Sequence, residues 1–250
     1  MSRLTHTFAD LRAHTRGGLV TYVTAGDPTL SASRDVVLAL ADAGADVIEI
    51  GVPFSDPIAD GPVIQRASER ALAAGASLTG ALDLVAEVRR TIETPIVLFT
   101  YVNPVVRMGT SEFVSRAARA GVDGVLLLDL PIEEADNMHT ALDAVGLDTI
   151  FLISPTTSAD RLRRAATMGR GFLYAISRLG VTGVRDSVAG TARPVVEQIR
   201  AVTDMPVALG FGISRPEHVR ETCQYADAAV VGSALVQVIA DAAPGDEARA

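Results

Sequence analysis

D-V-I-E-I-G-V-P-F-S-D-P-I-A-D-G-P, residues Asp46 to Pro62, carries the most informative change of pattern in the chain. Its first half alternates as a strand does: Val47, Glu49 and Gly51 share one face, Ile48 and Ile50 the other. A carboxylate thus stands inside an apolar run, where an unpaired glutamate is rarely tolerated. The second half is rich in Pro, Gly, Asp and Ser, the composition of an ordered loop. It carries Asp56 and Asp60, and a helical pattern opens at Pro62, where proline suits a first turn. One strand, its C-terminal loop and the next helix start therefore gather three carboxylates near one point. A salt-bridged core glutamate beside a solvated loop is the plainer reading, but the rarity of an idle buried Glu favours a functional one.

The same grammar recurs on either side. Apolar runs at Leu19–Thr24, Pro95–Thr100, Val122–Asp129, Thr149–Ile153, Phe172–Ile176, Pro206–Gly210 and Ala228–Val231 read as further strands. Helical periodicity separates them, at Ser31–Ala43, Val63–Ala73, Leu78–Arg90, Ser111–Ala120, Ile132–Ala144, Ala159–Met168, Ala192–Val202 and His218–Cys223. A first helix is expected over Phe8–Ala13 and a last one over Leu235–Ala242. Eight strands alternating with helices predict an α/β fold, a (β/α)₈ TIM barrel. Near-continuous apolar strands suit a sheet covered on both faces. Faint repetition agrees: A-G-A-D-V-I-E-I at Ala43 resembles A-G-V-D-G-V-L-L at Ala120, and T-P-I-V-L-F at Thr94 resembles M-P-V-A-L-G at Met205. No composition break divides residues 1–250, so one domain is expected, with a polar tail fraying from about residue 244.

Composition narrows the chemistry. All 22 basic residues are arginine, so Schiff-base aldolase chemistry and covalent attachment of pyridoxal phosphate, which need a lysine amine, are excluded. The four histidines are scattered and there is one cysteine, Cys223, so no metal site is expected. A net charge of −8 argues against a nucleic-acid partner. Mean hydropathy is +0.29, yet no apolar run is long enough for a membrane span. The N-terminus lacks an apolar signal core, which predicts a cytoplasmic protein.

In such barrels the active site lies at the C-terminal ends of the strands. There the chain places S-R-L-G-V-T-G-V-R-D-S-V-A-G-T (Ser177–Thr191), G-F-G-I-S (Gly210–Ser214) and G-S-A (Gly232–Ala234). Glycine lets a phosphate approach the backbone, and N–H groups at a helix start supply donors. These loops predict a phosphorylated ligand, with Leu179–Ala189 as a lid that orders over it. Tyr22, Phe99, Tyr101, Tyr174 and Phe211 line an apolar ring pocket or plug the barrel top. Asp129, at another strand end, is expected to orient a neighbour, and Cys223 to pack.

P-F-S-D-P-I-A-D-G-P (Pro53–Pro62) resembles the signature of the tryptophan synthase α subunit family. T-A-G-D-P (Thr24–Pro28), S-R-L-G-V-T-G (Ser177–Gly183), G-F-G-I-S and V-G-S-A (Val231–Ala234) fall in that family's order and spacing, and the resemblance covers nearly the whole chain. It implies a lyase that cleaves indole-3-glycerol phosphate to indole and glyceraldehyde 3-phosphate in tryptophan biosynthesis. Glu49 and Asp60 would be the catalytic pair. Tyr22, Tyr174 and Phe211 would border the indole site, with Tyr22 where the family often has Phe. Thr182, Gly183, Gly212, Gly232 and Ser233 would hold the phosphate. Pro53, Asp56 and Pro57 would face a β subunit in an αββα tetramer. No cofactor is implied in this chain, pyridoxal phosphate belonging to the β partner. A stand-alone indole-forming lyase and a catalytically poor homologue serving as allosteric partner are the rival readings. Both Glu49 and Asp60 being present argues against the second.

Overall fold

Three strand junctions are tied by the same reciprocal hydrogen bonds, and each tie starts from an aspartate placed just before a strand. A computed structural model describes residues 2–176, 189–210, 212–242 and 245–250. Among them β1 (Gly18–Thr24), β2 (Val47–Gly51), β3 (Ile96–Thr100), β4 (Gly124–Leu127), β5 (Asp148–Ile153), β6 (Leu173–Ile176), β7 (Val207–Gly210) and β8 (Ala228–Val231) form a closed parallel barrel in sequence order. The Asp46 N–H donates to the Leu19 carbonyl at 2.9 Å, and the Leu19 N–H donates back to the Asp46 carboxylate at 2.8 Å. Asp123 and Ile96 repeat the exchange at 2.9 and 2.8 Å, and Asp227 and Val207 at 2.9 and 2.7 Å. Arg16, Arg89 and Arg200 respectively pair with these carboxylates. The A-G-A-D and A-G-V-D echoes in the sequence are thus echoes of a bonding pattern.

Helices cover the barrel: α1 (Arg3–Ala13), α2 (Leu30–Asp42), α3 (Pro62–Ala73), α4 (Leu78–Val88), α5 (Val102–Met108), α6 (Thr110–Ala120), α7 (Asp136–Asp143), α8 (Ala159–Met168), α9 (Ala189–Arg200), α10 (Pro216–Thr222) and α11 (Ser233–Asp241). Side chains alternate between two environments. Val20, Val47, Val97, Leu126, Ile150, Phe172 and Ala208 fill the barrel, and Leu4, Phe8 and Leu11 of α1 close its lower end, with the Phe8 and Phe172 rings 5.4 Å apart. Ile48, Ile50 and Leu98 point outward against Leu82 and Val85 of α4 and Phe113 of α6. Leu173 and Leu209 do the same against Leu162, Val195 and Ile199. Each such side chain contributes about 1.5–3 kcal/mol when fully buried. Ala248, near the end of the chain, packs against the outer cluster.

Several boundaries differ from expectation for local reasons. The first helix begins at Arg3 rather than Phe8 because the Ser2 hydroxyl caps it, accepting the Thr5 N–H at 3.2 Å. The expected helix over Ile132–Ala144 is a 3₁₀ turn, Ile132–Glu134, followed by α7. The Val122–Asp129 run pairs only over Gly124–Leu127, Asp123 serving as a tie and Asp129 as a cap. Helix α5 was not anticipated; its Pro104 sits in the first helical turn, where its missing N–H costs nothing. No single helix among the described residues is long and apolar enough to cross a membrane.

Candidate active site

Glu49 sits mid-strand in β2, in register with Tyr22 of β1 and Val97 of β3. Its alternation with Val47 aims it into the barrel, where it is 0% exposed and neither carboxylate oxygen has a hydrogen-bond partner. Burial alone pushes its pKa up to about 8, so the carboxyl carries its proton at neutral pH. The salt-bridged alternative raised by the sequence is therefore not what the strand contains.

Asp60 ends the loop after β2 and is also buried. The Tyr101 hydroxyl donates to its Oδ2 at 3.0 Å. Burial raises Asp60 to about 6, against the opposing pull of that bond. Its backbone is held by α3, and that helix is itself tied to the turn after β1. The Gln65 amide of α3 donates to the Asp60 carbonyl at 2.9 Å. Arg70, also on α3, forms a bidentate pair with buried Asp27 of the turn after β1, both bonds 2.7 Å.

The two carboxylates share a chamber with two phenols. Burial raises the pKa of both Tyr22 and Tyr174, and the fields of Asp60 and Glu49 add to it at each. Phe99 lies between them, its ring 5.3 Å from Tyr22 edge-on and 6.4 Å from Tyr174. Two strand-end glycines make room: a Cβ at Gly51 would fall 2.0 Å from the Tyr22 hydroxyl oxygen, and one at Gly210 would fall 2.4 Å from that of Tyr174. Tyr22 also packs on Ala67 of α3 and Val236 of α11.

At the rim, Gly212 adopts φ +81° with open space where a Cβ would stand, and Gly232 precedes Ser233, the first residue of α11. Gly232 is its N-cap and gives it no side-chain hydrogen bond. Thr182, Gly183 and Phe211, and nearly all of the expected lid, lie outside the described residues. Pro53 is buried, whereas Asp56 is exposed and accepts the Ser55 hydroxyl at 2.6 Å; Ile58, between Asp56 and Asp60, is 85% exposed. Asp129 accepts the Val102 N–H at 2.7 Å and so orients the start of α5, as expected of a strand-end carboxylate that need not react. Among the described residues no group of His, Cys, Asp and Glu is arranged to hold a metal ion.

Sequence reading missed the Tyr101 bond and the Asp27–Arg70 pair. For Tyr101 the signal was its place at a strand end among the aromatics; for Asp27, a carboxylate in the T-A-G-D-P turn.

A closed (β/α)₈ barrel holding a protonated buried carboxyl beside one that titrates near neutrality, in an aromatic chamber, is a barrel enzyme equipped for acid–base chemistry. Comparison with known proteins gives the particular family. Residues 8–250 match the family model described as tryptophan synthase alpha chain. The tryptophan synthase alpha chain of Geotalea uraniireducens is 50% identical over 100% of this chain and 93% of its own. That of Methylococcus capsulatus is 52% identical over 97% and 91%. Among solved structures, tryptophan synthase subunit alpha from Legionella pneumophila superposes with a TM-score of 0.91 at 39% identity, over 100% of this chain and 94% of its own. A structure of the tryptophan synthase α2β2 complex from Pyrococcus furiosus, titled for its mutual activation, gives 0.87 at 42% identity, over 93% of each chain. The chain belongs to the tryptophan synthase alpha chain family, and is a lyase of tryptophan biosynthesis that cleaves indole-3-glycerol phosphate.

Proposed function

We propose that Glu49 and Asp60 carry out this cleavage as an acid–base pair. The substrate's indole C3 takes a proton, which turns the ring into an indolenine, an electron sink within the substrate itself. The side-chain hydroxyl gives up its proton to a carboxylate of the pair and becomes an aldehyde. The bond between C3 and the side chain breaks, its electrons restore the aromatic ring, and indole and glyceraldehyde 3-phosphate result. A buried carboxyl that is protonated at neutral pH is suited to deliver the C3 proton. Asp60, ionised over much of the neutral range, stabilises the positive charge that develops towards the ring N–H. Tyr22, Tyr174 and Phe211 border the ring. Thr182, Gly183, Gly212, Gly232 and Ser233 receive the phosphate, the uncapped start of α11 offering its free N–H groups. Pro53, Asp56 and Pro57 meet a tryptophan synthase β subunit in an αββα assembly, and any pyridoxal phosphate is the β subunit's.

The observation that carries this reading is Glu49: fully buried, unpaired, and raised to about 8. Glu49→Gln should keep fold and ligand binding while lowering indole release from indole-3-glycerol phosphate by ~10²–10⁴, the range for lost general acid catalysis. Near-normal turnover would remove Glu49 from the mechanism.

A further inference from the structure

One side chain outside the proposed catalytic pair touches both ends of the loop that presents Asp60. Tyr101 follows the last residue of β3 and is the N-cap of α5, 3% exposed. Its ring packs on Phe54 at the loop's beginning, with centroids 5.0 Å apart and planes 33° from parallel. Its hydroxyl works at the loop's other end, accepting the Ala59 N–H at 3.1 Å and donating its own proton to Asp60 at 3.0 Å. Between these contacts the chain makes tight turns, Ile58 N–H to the Asp56 carbonyl at 2.8 Å and Asp60 N–H to the Pro57 carbonyl at 3.0 Å. Asp129 fixes the other side of the anchor, since it accepts the Val102 N–H at 2.7 Å.

We infer that Tyr101 is a positioning residue for the reaction, clasping the Phe54–Asp60 loop at both ends and aiming the Asp60 carboxylate through the hydrogen bond it donates. The inference rests on Asp60 being catalytic. A hydroxyl with one lone pair taken by Ala59 N–H has its proton directed at Asp60, and that bond favours the ionised carboxylate. Of the charged groups around this pair, Asp129 after β4 acts on Tyr101, while Glu49 on β2 and Asp60 itself act on the neighbouring Tyr22 and Tyr174 phenols of β1 and β6. Glu49, Tyr22 and Tyr174 are uncharged at neutral pH, and an ionised Asp129 only raises the phenol's hold on its proton. The donated bond is therefore the interaction that keeps Asp60 from rising further.

The test is indole release across pH 5–9 by the full chain, alone and saturated with β subunit, for wild type, Asp60→Asn and Tyr101→Phe. Tyr101→Phe keeps the ring contact and deletes the hydroxyl. Its acid limb in kcat should move to higher pH by about one to two units, the worth of a hydrogen bond to a charged group. At neutral pH kcat should fall by ~10–100-fold while KM changes little, as for a misaimed reacting group. An unmoved acid limb, or a raised KM with kcat unchanged, would overturn the inference and leave Tyr101 a packing or pocket residue. Full activity in Asp60→Asn would instead overturn the role of Asp60 itself, whatever Tyr101→Phe does. If Tyr101→Phe does not fold, Phe54→Leu loosens the clasp with every hydroxyl retained. It should lower kcat with KM held, and wild-type kcat in that variant would count against the clasp.

Discussion

One buried carboxyl, that of Glu49, sets the chemistry of the site and weakens the fold that holds it. Its pKa in the folded protein is about 8 against 4.5 for the free side chain, so the folded state binds the proton more tightly than the unfolded one. The sign follows: the folded protein is most favoured below about pH 4.5 as far as this group is concerned, and loses that advantage as pH rises through 8. The loss amounts to roughly 3–4 kcal/mol by pH 7–8, since each pKa unit is worth about 1.4 kcal/mol. Glu49→Gln removes the ionisable group, so its melting temperature relative to wild type should climb steadily from pH 5 to pH 8. A constant difference across that range would show that Glu49 does not titrate as a buried acid. This residue was legible in the sequence because a Glu amid Val, Ile and Gly breaks the pattern of a buried strand. Tyr101 was legible only as an aromatic at a strand end. Its bond to Asp60 joins residues 41 positions apart and exists only because β2 and β3 are neighbours.

At the scale of elements, the aspartate ties do for the underside what Tyr101 does at the mouth. Asp123 is the most enclosed of the three, with 4% of its side chain exposed against 11% for Arg89, and it also accepts the Ile96 N–H and meets Arg3. Asp123→Ala would leave Arg89 without its carboxylate and the first N–H of β3 without its acceptor. Loss of one member of such a buried pair costs ~3–5 kcal/mol. Chemical denaturation should show a loss of that order while activity per folded molecule stays near wild type, since the tie lies at the end of the barrel opposite Asp60. Asp46→Ala should cost less, because Arg16 is more than half exposed at 54% and is screened by water. Strand positions were readable from apolar runs between glycines and aspartates. Element ends were less so: a hydroxyl from Ser2 extends α1, and α5 opens at Val102 with a proline inside its first turn.

At the scale of the whole molecule, eight apolar runs and ten helical patterns were enough to specify a barrel, because parallel strands joined by right-handed crossovers have few other ways to close. The exposed face of the loop after β2 is the natural place for outside control of Asp60. It presents Asp56 and Ile58 to solvent while Phe54 and Asp60 are held by Tyr101. Addition of a tryptophan synthase β subunit should raise lyase activity by ~5–150-fold, the usual span of coupling between sites, and Asp56→Ala should lose most of that gain. A flat titration with fast basal turnover would favour the stand-alone lyase.

Helix α1 gives the barrel a floor: Leu4, Phe8 and Leu11 seal the end opposite the strand tips. A vessel with a floor is filled from its mouth. With Glu49 as the proposed acid and the glycines at the rim as the proposed phosphate site, the ring of the substrate goes in first and the phosphate follows. On that reading indole is set free at the depth of Glu49, on the very strand whose C-terminal loop shows Asp56 and Ile58 to the outside.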